Sequence, residues 1–190
     1  MKKSSRVRII SGIWRSRQLR FMPTETLRPS GDRTRERVFN WLNSEITGAH
    51  CIDLFAGSGA LAFEALSRGA KSCLAVDNDP RAIEWLRYNS NQLNASSLII
   101  DESDSCLLLK KPPIQPANIV FLDPPFNTYS LLELCQDLEN QRWLLSEAMI
   151  YIESSRSSTE ICTPGNWMLW RHKVSGRVDM RLYTRSETKP

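Results

Sequence analysis

Apolar runs recur along the chain with a regular interval, beginning near residues 50, 73, 97, 118 and 148. A spacing of roughly 20 to 30 residues leaves room for one helix between successive strands, so the rhythm predicts β-α repeats around a mostly parallel sheet. Between the first two runs, Ala60-Leu61-Ala62-Phe63-Glu64-Ala65-Leu66 reads as an amphipathic helix that stops at Gly69. After the second, Asp79-Pro80 supplies the cap and first residue of the next helix. Upstream, Asp32 to Leu42 is predicted as a helix that packs Phe39, Trp41 and Leu42 onto the sheet, and Val7-Arg8-Ile9-Ile10 alternates like an edge strand. Towards the end, residues 137 to 145 belong to a helix and loop before the strand Ala148 to Glu153, and residues 154 to 164 form a polar loop. The stretches 167 to 173 and 178 to 183 flank Ser175-Gly176 as a closing antiparallel hairpin.

The residues just after each run carry the chemistry. The run Asn118 to Leu122 is closed by Asp123-Pro124-Pro125-Phe126. Neither proline has an N–H for a strand ladder, so the chain must leave the sheet in a rigid, carbonyl-rich turn. Such a turn offers a carboxylate, backbone carbonyls and an aromatic face, which suit an exocyclic amino group on a flat ring. The run Cys51 to Phe55 leads into Ala56-Gly57-Ser58-Gly59, a glycine turn between strand and helix where a ligand can lie against the backbone. Position 62 is Ala, so the third glycine of a dinucleotide fingerprint is missing, and no Gly-Lys-Ser/Thr comes after it to make a P-loop. Asp53 beside this turn repels a pyrophosphate and attracts an ammonium group. The run Cys73 to Val76 ends at Asp77-Asn78-Asp79, where a carboxylate suits a ribose diol; Asp77 is preferred, since Asp79 caps a helix. Beyond the run Ser97 to Ile100, Asp104, in preference to Asp101, is placed to accept from an adenine amino group. For each acid the alternative is a helix cap or a solvated loop charge; together they share one place, the carboxyl end of a strand.

Composition then narrows the partners. At 190 residues and 41% hydrophobic, the chain has the size of one α/β unit with an appendage. Five scattered cysteines form no CxxC pair, and the two histidines join no cluster, so no metal site is expected. With no signal peptide and no long apolar segment, a cytoplasmic, reduced protein without membrane contact is expected. The formal charge of +4 is unevenly spread: residues 1 to 40 hold eleven Lys/Arg against three acids, a net of +8. Arg15 and Arg17 around Trp14, and Arg33 and Arg37 one helical turn apart, make a candidate phosphate-binding surface.

Taken together, these residues resemble bacterial small-subunit rRNA guanine-N2 methyltransferases of the RsmD type. The similar blocks are Arg8 to Leu19, Leu27 to Glu36, Phe39 to Leu42, the Asp53 to Gly59 loop, Asp123 to Phe126 and Arg181-Leu182-Tyr183. The resemblance implies an α/β, Rossmann-like class I fold that uses S-adenosylmethionine. It implies a mostly parallel seven-stranded sheet with a closing antiparallel hairpin, a basic arm over residues 1–31 and a methyltransferase unit over 32–190. By position, Asp53, Phe55, Ala56, Gly57 and Gly59 would receive the methionine end of the donor, Asp77 the ribose and Asp104 the adenine. Asp77 stands where the family pattern has Glu, and Ser30-Gly31 where it has a Thr pair. Asp123, Pro124, Pro125 and Phe126 would form the catalytic turn, and Arg15, Arg17, Arg28, Arg33 and Arg37 would contact RNA. The implied substrate is a guanosine of 16S rRNA or of the assembling 30S subunit, with the protein acting as a monomer.

Three other readings compete. Asp-Pro-Pro-Phe turns also serve amino methylation of adenine or cytosine in DNA, but that reading wants a target-recognition domain for which 190 residues leave no room. A non-catalytic ribosome-assembly factor would keep the fold and lose the acids, all of which are present. A nucleotide-dependent oxidoreductase needs the phosphate-binding glycines that are missing here.

Overall fold

In a computed structural model, the described residues are 4–23, 31–126, 128–157 and 161–187. Seven strands form one sheet: β3 (His50–Asp53), β4 (Ser72–Asp77), β5 (Leu98–Glu102), β6 (Ala117–Leu122), β7 (Leu144–Ser155), β8 (Trp167–Ser175) and β9 (Val178–Arg185). Their order is β5-β4-β3-β6-β7-β9-β8. The first five are parallel, and β9 pairs antiparallel with both β7 and β8, which is the predicted closing hairpin. Each parallel strand is joined to the next in sequence through a helix, as a parallel sheet requires: α2 (Ala60–Ser67), α3 (Pro80–Leu93), the short α4 (Ser105–Leu109) and α5 (Leu131–Asn140). The sheet starts at β3, winds outward through β4 and β5, then returns to add β6 and β7 on the other side. A crevice therefore opens between the carboxyl ends of β3 and β6.

Two cores flank the sheet. One face carries Phe39, Phe63, Phe121 and Tyr151; the other carries Ile52, Val120, Leu138 and Trp143. Trp41, on α1 (Asp32–Trp41), packs partly buried against the first of these. Arg185 forks onto Glu139 at 2.6 to 3.0 Å and clasps β9 to α5. Among the described residues, no helix is long and apolar enough to cross a membrane.

The basic arm is a two-stranded ribbon, β1 (Ser5–Arg8) paired with β2 (Gln18–Phe21). β1 overlaps the alternating stretch, whereas its partner β2 has no comparable signal. Val7, Ile9, Leu19 and Phe21 are buried in the same core as the sheet. Fully buried Glu64 on α2 accepts the N–H groups of Ile10 and Ser11 at 2.7 and 3.0 Å. Ser67 takes the N–H of Ile13 on its carbonyl at 2.8 Å and that of Trp14 on its hydroxyl at 3.0 Å. Gly12, at φ +81°, lies so close to this turn that a Cβ would meet the Ser67 carbonyl oxygen at 1.8 Å. On α3, the Asn89 amide pairs with the main chain of Arg20, accepting its N–H at 3.0 Å and donating to its carbonyl at 2.8 Å.

Further differences from the sequence reading are a helix, a strand boundary and a buried charge. α4 is new, and β7 begins at Leu144 rather than 148, because the β6–β7 register shifts between Ala117 and Ile119. Glu147 sits at φ 59° in that irregular stretch, which interrupts the strand pattern. Arg35, counted among the charges of the basic segment, is fully buried and ion-paired with Asp32 at 2.7 Å and Glu64 at 3.7 Å.

Candidate active site

All four acids singled out from the sequence lie at the carboxyl edge of the parallel strands. Asp53 is the last residue of β3, paired in register with Phe121 of β6, and Asp123 comes two residues beyond that partner. The two carboxylates thus flank the crevice from its two sides. Asp53 is 1% exposed, and its Oδ1 has no hydrogen-bond partner among the described residues. Burial pushes its carboxyl up to about 7; backbone N–H groups of Phe55 and Ala62 oppose that rise, and the charge of Asp77 adds to it. An unpartnered buried acceptor is costly, and a cationic donor is the natural group to relieve it.

The glycine turn is shaped by its neighbours. Gly57 and Gly59 have φ of +50° and +75°, and a Cβ on Gly59 would lie 2.6 Å from Leu86 and 2.7 Å from Phe63. The N–H of Gly57 donates to Asp77 Oδ2 at 2.7 Å, while the N–H of Asp79 donates to Asp77 Oδ1 at 2.9 Å. Burial raises the Asp77 carboxyl above its ordinary range against these backbone bonds. Ala56 is buried, with its N–H on the Val76 carbonyl at 2.9 Å. Ser105 donates its hydroxyl to the Leu54 carbonyl and so ties the start of α4 to the same loop.

Asp104 caps α4: its Oδ1 accepts from the N–H groups of Cys106 and Leu107 at 2.9 and 3.2 Å. Its Oδ2 accepts from the Tyr129 hydroxyl at 3.3 Å and lies 3.5 Å from the Asn78 amide nitrogen. The Tyr129 ring tilts against Phe55 at 4.8 Å between centroids, which closes a polar-rimmed aromatic corner. Asp101, by contrast, sits within β5, paired with Val76. Asn78 and Tyr129 are not legible from the sequence, since the loops that join them to Asp104 are distant in the chain.

In the Asp123 turn, Pro124 is buried, Pro125 is exposed and Phe126 is 45% exposed. Behind Asp123, the fully buried Tyr151 hydroxyl donates to buried Glu153 at 2.8 Å. Burial, then the charges of Glu153 and Asp123, hold the Tyr151 phenol well above its ordinary range. This pair on β7 also escapes sequence reasoning, because Tyr151 and Glu153 look like ordinary strand positions until β7 is laid beside β6. Arg15, Arg17 and Arg33 are exposed and Arg37 is half-buried; Arg28 lies outside the described residues. Among the described residues, no group of three His, Cys, Asp or Glu could hold a metal ion.

The profile of the family described as Conserved hypothetical protein 95 matches residues 7–184. The chain belongs to this RsmD family of methyltransferases. It is 43% identical over 182 residues to Ribosomal RNA small subunit methyltransferase D of Escherichia coli K12, covering 96% of this chain and 91% of that one. The solved structure of the putative methyltransferase yhhF from Escherichia coli superposes with a TM-score of 0.87 at 43% identity, over 97% of this chain and 100% of the other. A more distant structure shares the fold: an RNA methyltransferase from Salinibacter ruber in complex with S-adenosyl-L-homocysteine, with a TM-score of 0.65, 16% identity and coverage of 86% and 97%. The RsmD-type chain thus has the Rossmann-like class I methyltransferase fold, with its acids arrayed along the sheet edge.

Proposed function

We propose that this protein transfers a methyl group from S-adenosylmethionine to the exocyclic N2 of a guanosine in 16S rRNA, during assembly of the small subunit. The observation that carries this reading is the Asp123-Pro124-Pro125-Phe126 turn at the switch point, across the crevice from the unpartnered carboxylate oxygen of Asp53. The residues present fit the donor: a buried orphan acceptor suits an ammonium, Asp77 retains lone pairs for a diol, and Asp104 with Phe55 and Tyr129 suits a purine. When bound, S-adenosylmethionine supplies an electrophilic methyl group on a sulfonium.

The chain's own task is to position the nucleophile. A guanine amino group is a poor one, because its lone pair is conjugated into the ring. With Asp123 and the Pro124 carbonyl accepting its two N–H bonds, the nitrogen is drawn towards tetrahedral geometry and its lone pair is freed. Fixed acceptors also stabilise the positive charge that develops there, and orientation supplies most of the acceleration. The exposed Phe126 ring offers a stacking surface for a base taken out of its RNA stack. Behind the turn stand buried Tyr151 and Glu153, bonded to each other. Residues 1–31 serve as an RNA-binding extension of the methyltransferase unit 32–190.

The test is incubation with labelled S-adenosylmethionine and either naked 16S rRNA or small-subunit particles from cells lacking the activity. Nucleoside mapping should reveal N2-methylguanosine at one position. Label in DNA, in protein or on an adenosine would overturn the assignment.

A further inference from the structure

A second feature lies far from the catalytic turn, where the ribbon meets the last turns of α3. Arg6 and Arg20 are directly opposite each other in the β1–β2 register, on the solvent face of the ribbon. Like charges at such a pair destabilise a ribbon unless something neutralises them. Arg17 joins them: the three guanidinium groups, with Tyr88 and Gln92, line one cleft. Their internal contacts are neutral. Arg6 donates to Gln18 at 3.1 Å, Arg17 donates to the Gln92 carbonyl at 3.2 Å, and Arg20 lies 5.8 Å from the centroid of the Tyr88 ring. Among the described residues none of the three is ion-paired, whereas Arg8 on the same face pairs with Asp32 at 2.9 Å. Tyr88 is 37% exposed, with its ring braced by Trp85 at 5.4 Å between centroids.

We infer that this cleft is a cradle for the RNA backbone, in which Arg6, Arg17 and Arg20 take phosphodiester groups and Tyr88 stacks on a base of the same strand. The inference rests on the rRNA reading above and extends it. Three unpaired guanidiniums converging on one concavity are repulsive in the free protein, and a polyanion removes that repulsion while each fork finds the planar oxygens it matches. The partly exposed Tyr88 ring beside them, under the Arg20 guanidinium, adds a surface that any base can use, so the cradle holds the strand without reading its sequence. α3 begins at the Asp77 edge and Gln92 lies near its far end, about 20 Å along the helix axis. The cradle therefore engages RNA flanking the target, well beyond the nucleotide in the pocket. Reciprocal bonding between Asn89 and the Arg20 main chain fixes the ribbon on α3, so the cleft is formed before RNA arrives.

The experiment measures affinity for a 16S rRNA fragment across a salt series, together with methyl-transfer kinetics. Compared are the wild type, the triple variant Arg6→Gln/Arg17→Gln/Arg20→Gln and the matching triple Lys variant. Loss of three phosphate contacts should flatten the slope of log affinity against log salt by about 2 for single-stranded RNA. KM for RNA should rise at least tenfold, with kcat and S-adenosylmethionine affinity within about twofold of wild type. The Lys variant should keep the slope. If the Gln variant fails to fold, Gln92→Glu decides: a carboxylate in the cleft should weaken RNA binding, and unchanged binding overturns the inference. A wild type that methylates rRNA with a slope indifferent to the three arginines removes this inference alone. A wild type that neither binds nor methylates rRNA removes the function reading and the cradle with it.

Discussion

Asp77 accepts the N–H of Gly57 at 2.7 Å, so the acid expected to hold a ribose also braces the turn expected to hold the methionine end. The side chain at the end of β4 and the loop after β3 thereby act as one unit. Asp77→Ala should both weaken S-adenosylmethionine binding by tenfold or more and destabilise the fold by about 1 to 3 kcal/mol, since a buried N–H loses its acceptor. Calorimetric titration and urea unfolding read the two effects. Loss of binding with unchanged stability would show that the Gly57 bond contributes nothing to the fold.

The raised carboxyl of Asp53 predicts a pH dependence. It titrates near 7 in the folded protein against an ordinary value of 3.8, so between those values the unfolded chain ionises freely while the folded one resists. Stability is full at low pH and is lost as pH rises towards and through 7, by on the order of 4 kcal/mol. Asp53→Asn removes that titration. Its stability relative to wild type should therefore increase between pH 4 and pH 8, while its affinity for S-adenosylmethionine falls. Parallel pH profiles for the two proteins would rule out a perturbed Asp53.

Asp123→Ala should lower kcat by at least about a hundredfold, the scale of losing one preorganised polar group at a reacting atom. Affinity for S-adenosylmethionine should stay within a few-fold, because the proposed function assigns Asp123 to the nucleophile and not to the methyl donor. Single-turnover transfer and equilibrium binding separate the two. A collapse of cofactor affinity would instead make Asp123 part of the cofactor site.

Tyr151→Phe leaves the buried Glu153 carboxylate without its hydroxyl donor. A destabilisation of about 1 to 3 kcal/mol is expected, since a buried oxygen of Glu153 loses a hydrogen bond. Chemical denaturation of the two proteins measures this, and an unchanged midpoint would show that the Tyr151–Glu153 bond contributes nothing to the fold.

Glu64→Ala should cost about 3 to 5 kcal/mol, because it removes one of the two carboxylates that face buried Arg35 and frees the Ile10 and Ser11 N–H groups together. Partial proteolysis should then cut first between residues 10 and 17. Preserved resistance there would show that Ser67 alone holds the arm.

Much of this protein is legible from local pattern. Strand and then an abrupt break is a short-range signal: it locates Asp53, Asp77 and Asp123 through the glycine or proline that follows, and Asp104 through the switch from an apolar run to a polar one. The β-α rhythm likewise specifies the class of fold and, with the Asp-Pro-Pro-Phe turn, the chemistry to expect. Tertiary structure alone decides which charges are inside: Arg35 belongs to a basic helix yet is buried, because Glu64 from α2 faces it. It also decides that Asn89 holds Arg20 across 69 positions, that Tyr151 and Glu153 stand behind Asp123, and that Arg6 opposes Arg20. The reason is physical: backbone preferences act over a few residues, whereas burial, ion pairing and repulsion depend on distances that exist only once the chain has closed on itself.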